Sequence, residues 1–182
     1  KDGEGFAQAV KVTTDSNNKA FLLNLFRQIA NPADAQFFKE YVNDPALAST
    51  AVGALVDIPG TEDLILDLVK EGTADRKLLA TAAAEKGITA AEPYIQKWVI
   101  PTALNSTMHD NAYFSTLAAI GSESSLNILK ENSTPDYAAL AVRLADGSKS
   151  KAVAKAAKDL MASEVSAYKS AGALAQMKND PS

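Results

Sequence analysis

Apolar residues recur at three- and four-residue spacing along most of the chain, which is the period of an amphipathic α-helix. No convincing alternation of apolar and polar residues is found, and β-branched runs are scarce. The pattern predicts an all-α fold, with Leu66 among the core residues. Three apolar stripes carry it: Phe21, Leu22, Leu25, Phe26 and Ile29; Leu64, Ile65, Leu68 and Val69; and Leu78, Leu79, Ala82 and Ala83.

The breaks between the stripes share a composition. Each has a residue that tolerates left-handed backbone and, soon after it, a residue that can cap a new helix by accepting a backbone N–H. Successive breaks are 29, 27, 34 and 26 residues apart, which is room for two helices of about three turns and two short turns. The chain is therefore predicted to repeat a pair of helices. These corners lie at Asn31, Gly60, Gly87, Gly121 and Gly147.

A second class of break is predicted to separate one pair from the next. It occurs at Asn43-Asp44-Pro45, at Glu71-Gly72-Thr73, over residues 101–110 and at residues 132–135. The resulting map has a capping segment at 1–18, repeats over 19–163, and a capping helix with a tail at 164–182. The expected helices are 4–13, 19–30, 34–43, 46–57, 62–71, 74–86, 90–99, 108–120, 123–131, 136–145, 149–163 and 165–178, although one long helix over 149–178 fits equally well.

Two segments, Ala51–Val69 and Tyr113–Leu129, resemble HEAT-like repeats, in which a small-residue turn is followed by a capping residue and an apolar ridge. The resemblance covers residues 19–163. It implies a right-handed α-α superhelix of about five antiparallel helix pairs, a solenoid of the HEAT/ARM type that acts as a non-catalytic scaffold. The repeats are short and lack the family's regular Asp and Arg turn positions, so other paired-helix solenoids stay open.

The Ala-, Asn- and Lys-rich character is also similar to helical-repeat segments that accompany carbohydrate-active domains in exported proteins of gut-type bacteria. This likeness implies an accessory domain of a larger exported bacterial protein, with the periplasm or cell surface favoured over the cytoplasm. The sequence starts at Lys1 without an initiating Met, as expected of a chain whose start has been removed. The expected partner is another protein or a neighbouring domain of the same chain.

Composition removes several classes of chemistry. The chain has no cysteine and one histidine, so thiolate nucleophiles and the usual zinc ligand sets are excluded, and neither a metal nor a cofactor is expected. The net charge of −4 gives no global attraction to nucleic acid. No apolar run reaches the length of a membrane span. The segment Gly121–Ser125 is read as a helix cap, and no catalytic residue is predicted.

The candidate partner-binding residues are Tyr94, Trp98, Ile100 and His109. Tyr94 and Trp98 are four residues apart, so they share a helix face and could offer an aromatic patch to a partner or a sugar ring. Packing of this pair in the repeat core is the alternative. A rival function places a ligand-binding or carbohydrate-related enzyme site near His109 and Trp98. For His109 itself, a solvent-facing turn residue is the simpler interpretation.

The only local basic cluster is formed by Lys149, Lys151, Lys155 and Lys158. Such a cluster could bind the phosphate backbone of a nucleic acid, and this is a third and weaker hypothesis for the function. The cluster contains no arginine and no interleaved aromatic residue. A solvated face near the end of the array is therefore the favoured interpretation.

Overall fold

The computed structural model describes residues 2–99, 112–131, 142 and 151–179, and within these ranges every regular element is helical. The all-α prediction is confirmed. Short 3-10 helices at Pro32–Asp34 and Thr89–Ala91 precede α3 and α7. The described α-helices are α1 (Asp2–Val12), α2 (Ser16–Arg27), α3 (Ala35–Lys39), α4 (Ala48–Asp57), α5 (Glu62–Glu71), α6 (Arg76–Glu85), α7 (Glu92–Val99), α8 (Ala112–Ile120), α9 (Glu123–Glu131), α10 (Lys151–Met161) and α11 (Ser166–Asn179).

The chain forms two compact units, one that ends at Ile88 and one that begins at Thr89. The division falls inside the region 19–163 that the sequence predicts as one run of repeats. It comes directly after the corner at Gly87. Among the helices that the structure describes, none is long and apolar enough to cross a membrane.

In the first unit, α2 packs on α4 and α4 packs on α6, while α1 lies against α2. Phe26 of α2 is fully buried and packs against three other phenylalanine rings of this unit. Its ring centroid is 6.1 Å from that of Phe6, 5.3 Å from that of Phe37 and 5.1 Å from that of Phe38. The remaining large and fully buried side chains of this unit are Leu23, Phe38, Leu47, Leu55, Ile58, Ile65, Leu68 and Leu79.

The second-class breaks of this unit are turns within packed helix pairs. Helices α3 and α4 pack against each other across Asn43-Asp44-Pro45, and α5 packs against α6 across Gly72. Helices α4 and α5, on either side of Gly60, make less extensive contact. The prediction that these breaks merely separate one pair from the next is therefore wrong. The two helices around Gly60 are joined instead by hydrogen bonds of the corner itself.

The predicted core is correct in outline and wrong at particular positions. Ile65 and Val69 of the second stripe are buried, whereas Leu66 is only half-buried, so its prediction as a core residue is wrong. In the first stripe, the side chains of Phe21 and Ile29 are 61% and 48% exposed. The buried face of α2 passes through Leu23 and Phe26, which are three residues apart. Phe21 lies on the opposite side of the helix, and Ile29 lies beyond the end of α2 at Arg27.

Three of the five predicted corners contain a glycine at positive φ, namely Gly60, Gly87 and Gly121. Asn31 differs, because its backbone is extended at φ −128°. Its side chain accepts a hydrogen bond from the N–H of Ala33, and the Asp34 carboxylate accepts one from the N–H of Asn31. Asn31 therefore begins a helix by a capping box instead of ending one. The fifth corner, at Gly147, lies outside the described residues.

The hydroxyl residues after the glycines act in two ways. Ser122 accepts a hydrogen bond from the N–H of Ser125 at 3.0 Å, as the sequence predicts for a helix cap. Thr61 is 2% exposed, and its hydroxyl donates to the carbonyl oxygens of Leu55 at 2.5 Å and Ile58 at 2.9 Å. The prediction of an N-terminal cap at Thr61 is wrong, because its side chain satisfies carbonyls left open at the end of α4.

In the second unit, α7, α8 and α9 contact one another, α9 contacts α10, and α10 packs along α11. A break at residues 162–165 divides α10 from α11, which decides between one helix and two over 149–178. The two helices approach closely at Gly172, where a Cβ atom would meet the carbonyl oxygen of Ala157 at 2.6 Å. Of the helix predicted over 136–145, only Val142 is described, and it is helical and buried.

Candidate partner-binding surfaces

Trp98 is a core residue of the second unit. Its side chain is only 8% exposed, and its ring centroid lies 5.8 Å from that of Tyr113 on α8, with an angle of 57° between the ring planes. Tyr113 is also 8% exposed. The α7 face that carries Ile95 and Trp98 therefore points into the core, and the Trp98 ring is not offered to a partner. This is the packing alternative that the sequence leaves open.

Tyr94 lies at the edge of that face and is half-buried. The ammonium group of Lys97 lies 5.7 Å from the centroid of the Tyr94 ring, which is within reach of a cation–π contact. The aromatic surface that α7 leaves open is thus one ring beside one lysine. The other two candidates, Ile100 and His109, lie outside the described residues, so they stay predictions.

A network of polar side chains joins α7 to the start of α9. The Glu92 carboxylate accepts hydrogen bonds from the hydroxyls of Ser122 and Ser125, and Ser125 is fully buried. The amide of Gln96 donates to Glu92 at 3.1 Å, to Ser124 at 3.1 Å and to Ser125 at 3.3 Å. Ser122 also caps α9, so these hydroxyls are taken up by structural bonds and are not poised as nucleophiles.

Polar contacts of this kind recur at one sequence separation. Among the described residues, six side-chain hydrogen bonds connect residues 28 to 33 positions apart within a unit. In the first unit Arg27 pairs with Asp57 at 2.5 Å, and Lys86 donates to the carbonyl oxygen of Ile58 at 2.9 Å. These separations fall within the 26- to 34-residue range of the corner spacing.

The residues that make these bonds escaped the motif-based search for sites. Lys86, Glu92 and Gln96 belong to no motif, and their partners 28 to 33 residues away are a backbone carbonyl or common serines. A sequence signal does exist, because each of these residues and its partner are separated by about the spacing between successive corners. Comparing polar positions at that separation, instead of searching within short windows, would have found them.

Three lysines of the predicted basic cluster are on α10. Lys151, Lys155 and Lys158 recur at intervals of four and three residues, lie on one face of the helix, and are exposed. The described residues place no carboxylate within ion-pair distance of these three ammonium groups. Lys149 lies outside the described residues.

A cleft opens between α9 and α10, on the side of the lysine face. Its volume is about 160 Å³, and its apolar floor includes Leu126 and Val142, which are 8% and 6% exposed. Charged residues of both signs form the rim. The lining residues are Glu123, Leu126, Asn127, Val142, Ala152, Lys155, Ala156, Asp159 and Leu160.

The first unit has a wider and more polar groove. Its volume is about 570 Å³, and it lies between the turns that lead into α4 and α6. Asp75 uses its carboxylate to cap α6, accepting hydrogen bonds from the N–H groups of Lys77 and Leu78 at 2.8 and 3.2 Å. Asp44 similarly accepts the N–H of Ala46 at 2.9 Å. Both carboxylates are thereby occupied by local turn geometry.

Two acidic residues of α5, Glu62 and Asp67, are stabilised in their ionised form by nearby groups. The pKa of Glu62 is lowered by a hydrogen bond from its own backbone N–H and by the ammonium group of Lys86, which lies 3.2 Å from its carboxylate. The pKa of Asp67 is lowered by the hydrogen bond from Lys70. Both carboxylates are thus held ionised. Within the described residues, no group of His, Asp and Glu side chains has the arrangement of a metal site.

Comparison of the chain with models of protein families, with curated proteins and with solved structures finds no match.

Proposed function

We propose that the chain is a non-catalytic helical-repeat scaffold that binds another protein or a neighbouring domain of the same polypeptide. In this proposal the helix pairs stack as in HEAT-like solenoids, in a right-handed superhelix. The observation that carries it is the recurrence of polar bonds at separations of 28 to 33 residues. Such bonds are expected where each pair of helices rests on the next.

The polar chemistry of the described residues supports binding over catalysis. The conspicuous serines, Ser122 and Ser125, are committed to a helix cap and to the Glu92 network. The carboxylates of Glu62, Asp67 and Asp75 are held by neighbouring lysines or backbone N–H groups. A rigid array with exposed grooves presents binding surface without dedicated reaction chemistry.

Site-specific photo-crosslinking in the source cells tests this function. A photoreactive amino acid is placed separately at exposed positions that differ in the surface they report: Gln36 on α3, Ser49 in the first-unit groove, Ser115 on α8 and Lys155 on α10. Unchanged circular dichroism and melting temperature confirm that each variant is folded. If the chain is a scaffold, one partner protein should be crosslinked, in an adduct of defined mass, and only from positions on one surface. Absence of adducts at all positions contradicts the proposal.

A further inference from the structure

The cleft between α9 and α10 combines an apolar floor with an adjoining lysine-rich surface. Leu126 and Val142 belong to a buried apolar cluster with Val153, Ala157 and Ala175, and the partly buried side chains of Ala152, Ala156 and Leu160 pack against this cluster. Ala152, Ala156 and Leu160 also line the cleft, together with Leu126 and Val142. An apolar group that entered it would extend a core already present.

The size of the cleft limits its occupant. Its volume of about 160 Å³ is well below the roughly 300–1,000 Å³ of sites that enclose a drug-sized ligand. An apolar cavity of about 150 Å³ is enough for a benzene-sized group. The cleft therefore fits one aliphatic or aromatic side chain, and the rest of the bound molecule would lie over the surface outside.

Charge decides what that surface accepts. Lys155 and Asp159 line both the cleft and a second hollow of about 320 Å³, whose other lining residues are Lys151, Ala154 and Lys158. Residues 151–179 contain five lysines against two carboxylates, although the whole chain has a net charge of −4. The cleft has Lys155 against Glu123 and Asp159, whereas the second hollow has three lysines against Asp159, so the positive potential is concentrated at the second hollow.

We propose that the α9–α10 cleft and its lysine hollow bind an acidic peptide segment of a partner protein, anchored by one apolar side chain in the cleft with its acidic residues over Lys151, Lys155 and Lys158. This rests on the proposed scaffold function and names the chemistry of one partner. An apolar anchor surrounded by charge-complementary contacts is a common design of protein interfaces.

A peptide suits these observations better than a nucleic acid does. Phosphate contacts would use the lysines but leave the apolar cleft empty. Proteins that bind single strands without sequence preference stack bases on aromatic side chains. Among the described residues that line the two hollows, none is aromatic and none is an arginine. The cleft thus distinguishes the two classes of partner, and an oligonucleotide serves as the competing probe.

The test is a methyl NMR titration of the full chain labelled at leucine and valine, because methyl signals report weak binding. The probe is a short synthetic peptide in which one leucine precedes a run of glutamates. We expect saturable shifts of the Leu126, Val142 and Leu160 methyls, with Leu68 of the first unit unchanged. The same peptide with alanine in place of leucine should bind at least about fivefold more weakly, which is about 1 kcal/mol.

Matched variants separate this site from general attraction between charges. Lys155→Glu should weaken binding about fivefold or more, whereas Lys169→Glu, the same charge change at an exposed residue of α11 outside both hollows, should change it by less than about twofold. Ala156→Leu, which fills the cleft, should abolish the saturable shifts. If that variant unfolds, Lys155→Glu still decides.

Three results would overturn the inference: equal binding of the leucine and alanine peptides, equal weakening by the two lysine variants, or displacement of the peptide by a DNA oligonucleotide that binds at least as tightly. The last would assign the lysine face to phosphate. If the peptide fails while photo-crosslinking at other positions still yields a protein adduct, only this inference falls. If both experiments fail, the scaffold function falls with it.

Discussion

The ammonium group of Lys86 donates a hydrogen bond to the carbonyl oxygen of Ile58, 28 residues earlier, at 2.9 Å, and lies 3.2 Å from the carboxylate of Glu62. The Lys86 side chain is only 13% exposed. It therefore fastens the end of α6 to the corner that contains Gly60. This contact joins two successive corners through one side chain.

Replacing Lys86 by methionine should lower the free energy of unfolding by about 1–3 kcal/mol, because a charge-assisted hydrogen bond is lost and the Ile58 carbonyl loses a partner. Urea denaturation followed by circular dichroism measures the change. Lys70→Met is the matched control, since Lys70 pairs with Asp67 on the exposed surface of α5. This variant should lower the free energy of unfolding by about 0.5 kcal/mol or less. Equal losses in the two variants would contradict a special role for Lys86.

Glu62 and Asp67 should make stability depend on acid pH. Their pKa values in the folded chain lie below the ordinary values of 4.5 and 3.8, so both carboxylates bind protons more readily in the unfolded chain. Their stabilising contribution is present above those ordinary values and is lost as the pH falls through the folded-state values. Carboxyl-carbon NMR titration of Glu62 should show the lowered pKa, and Lys86→Met should raise it only in part, because the backbone hydrogen bond stays. An unshifted pKa in the parent chain would refute this.

Gly172→Ala should destabilise the second unit although alanine favours helix. The added Cβ would lie 2.6 Å from the Ala157 carbonyl oxygen and 2.9 Å from the Leu160 Cβ, so α10 and α11 must separate. We expect a loss of about 1–3 kcal/mol from overpacking. Gly5→Ala in α1 is the control, because no atom lies within 4 Å of its added Cβ. Thermal denaturation should show stabilisation of about 0.5–1 kcal/mol there.

Ser125→Ala should lower stability by about 1 kcal/mol, because a fully buried hydroxyl that donates to Glu92 is removed. Ser124→Ala changes the adjacent residue, whose hydroxyl accepts a hydrogen bond from Gln96 on the exposed side. It should alter stability by less than about 0.5 kcal/mol. Chemical denaturation of both variants gives the comparison, and a larger effect at Ser124 would reverse our assignment of the network.

Ile65→Ala and Leu66→Ala test the corrected core of α5. Ile65 is fully buried, so its truncation should cost about 2–5 kcal/mol through lost burial and a residual cavity. Leu66 is half-buried and should cost about 1 kcal/mol. Equilibrium unfolding measures both values. A greater loss at Leu66 would restore the original assignment from the sequence.

The sequence was sufficient to predict helices and most turns, because both depend on neighbouring residues. Apolar period and glycine punctuation predict α4, α5 and α9 to within two residues. What failed depends on tertiary contacts. The Thr61 hydroxyl donates to carbonyl oxygens at the end of α4 and does not cap α5, because those carbonyls need donors. Leu66 is only half-buried because Ile65 and Val69 form the buried face of α5.

The candidate site was harder to predict for the same reason. An aromatic pair on one helix indicates a shared face but not whether that face is covered, and Tyr113, fifteen residues beyond Trp98, covers it. The cleft beside Lys155 has no sequence motif. It exists because small side chains of α10 such as Ala152 and Ala156 leave space beside α9 unfilled.

The 28- to 33-residue separation of the side-chain hydrogen bonds has a consequence for folding kinetics. A contact between residues about 30 positions apart needs only neighbouring helices to have formed, and the entropy cost of closing such a loop rises slowly with its length. Each unit can therefore nucleate at whichever neighbouring helices meet first. Synthesis on the ribosome suits this arrangement, since an emerging helix finds its docking site in chain made only moments before.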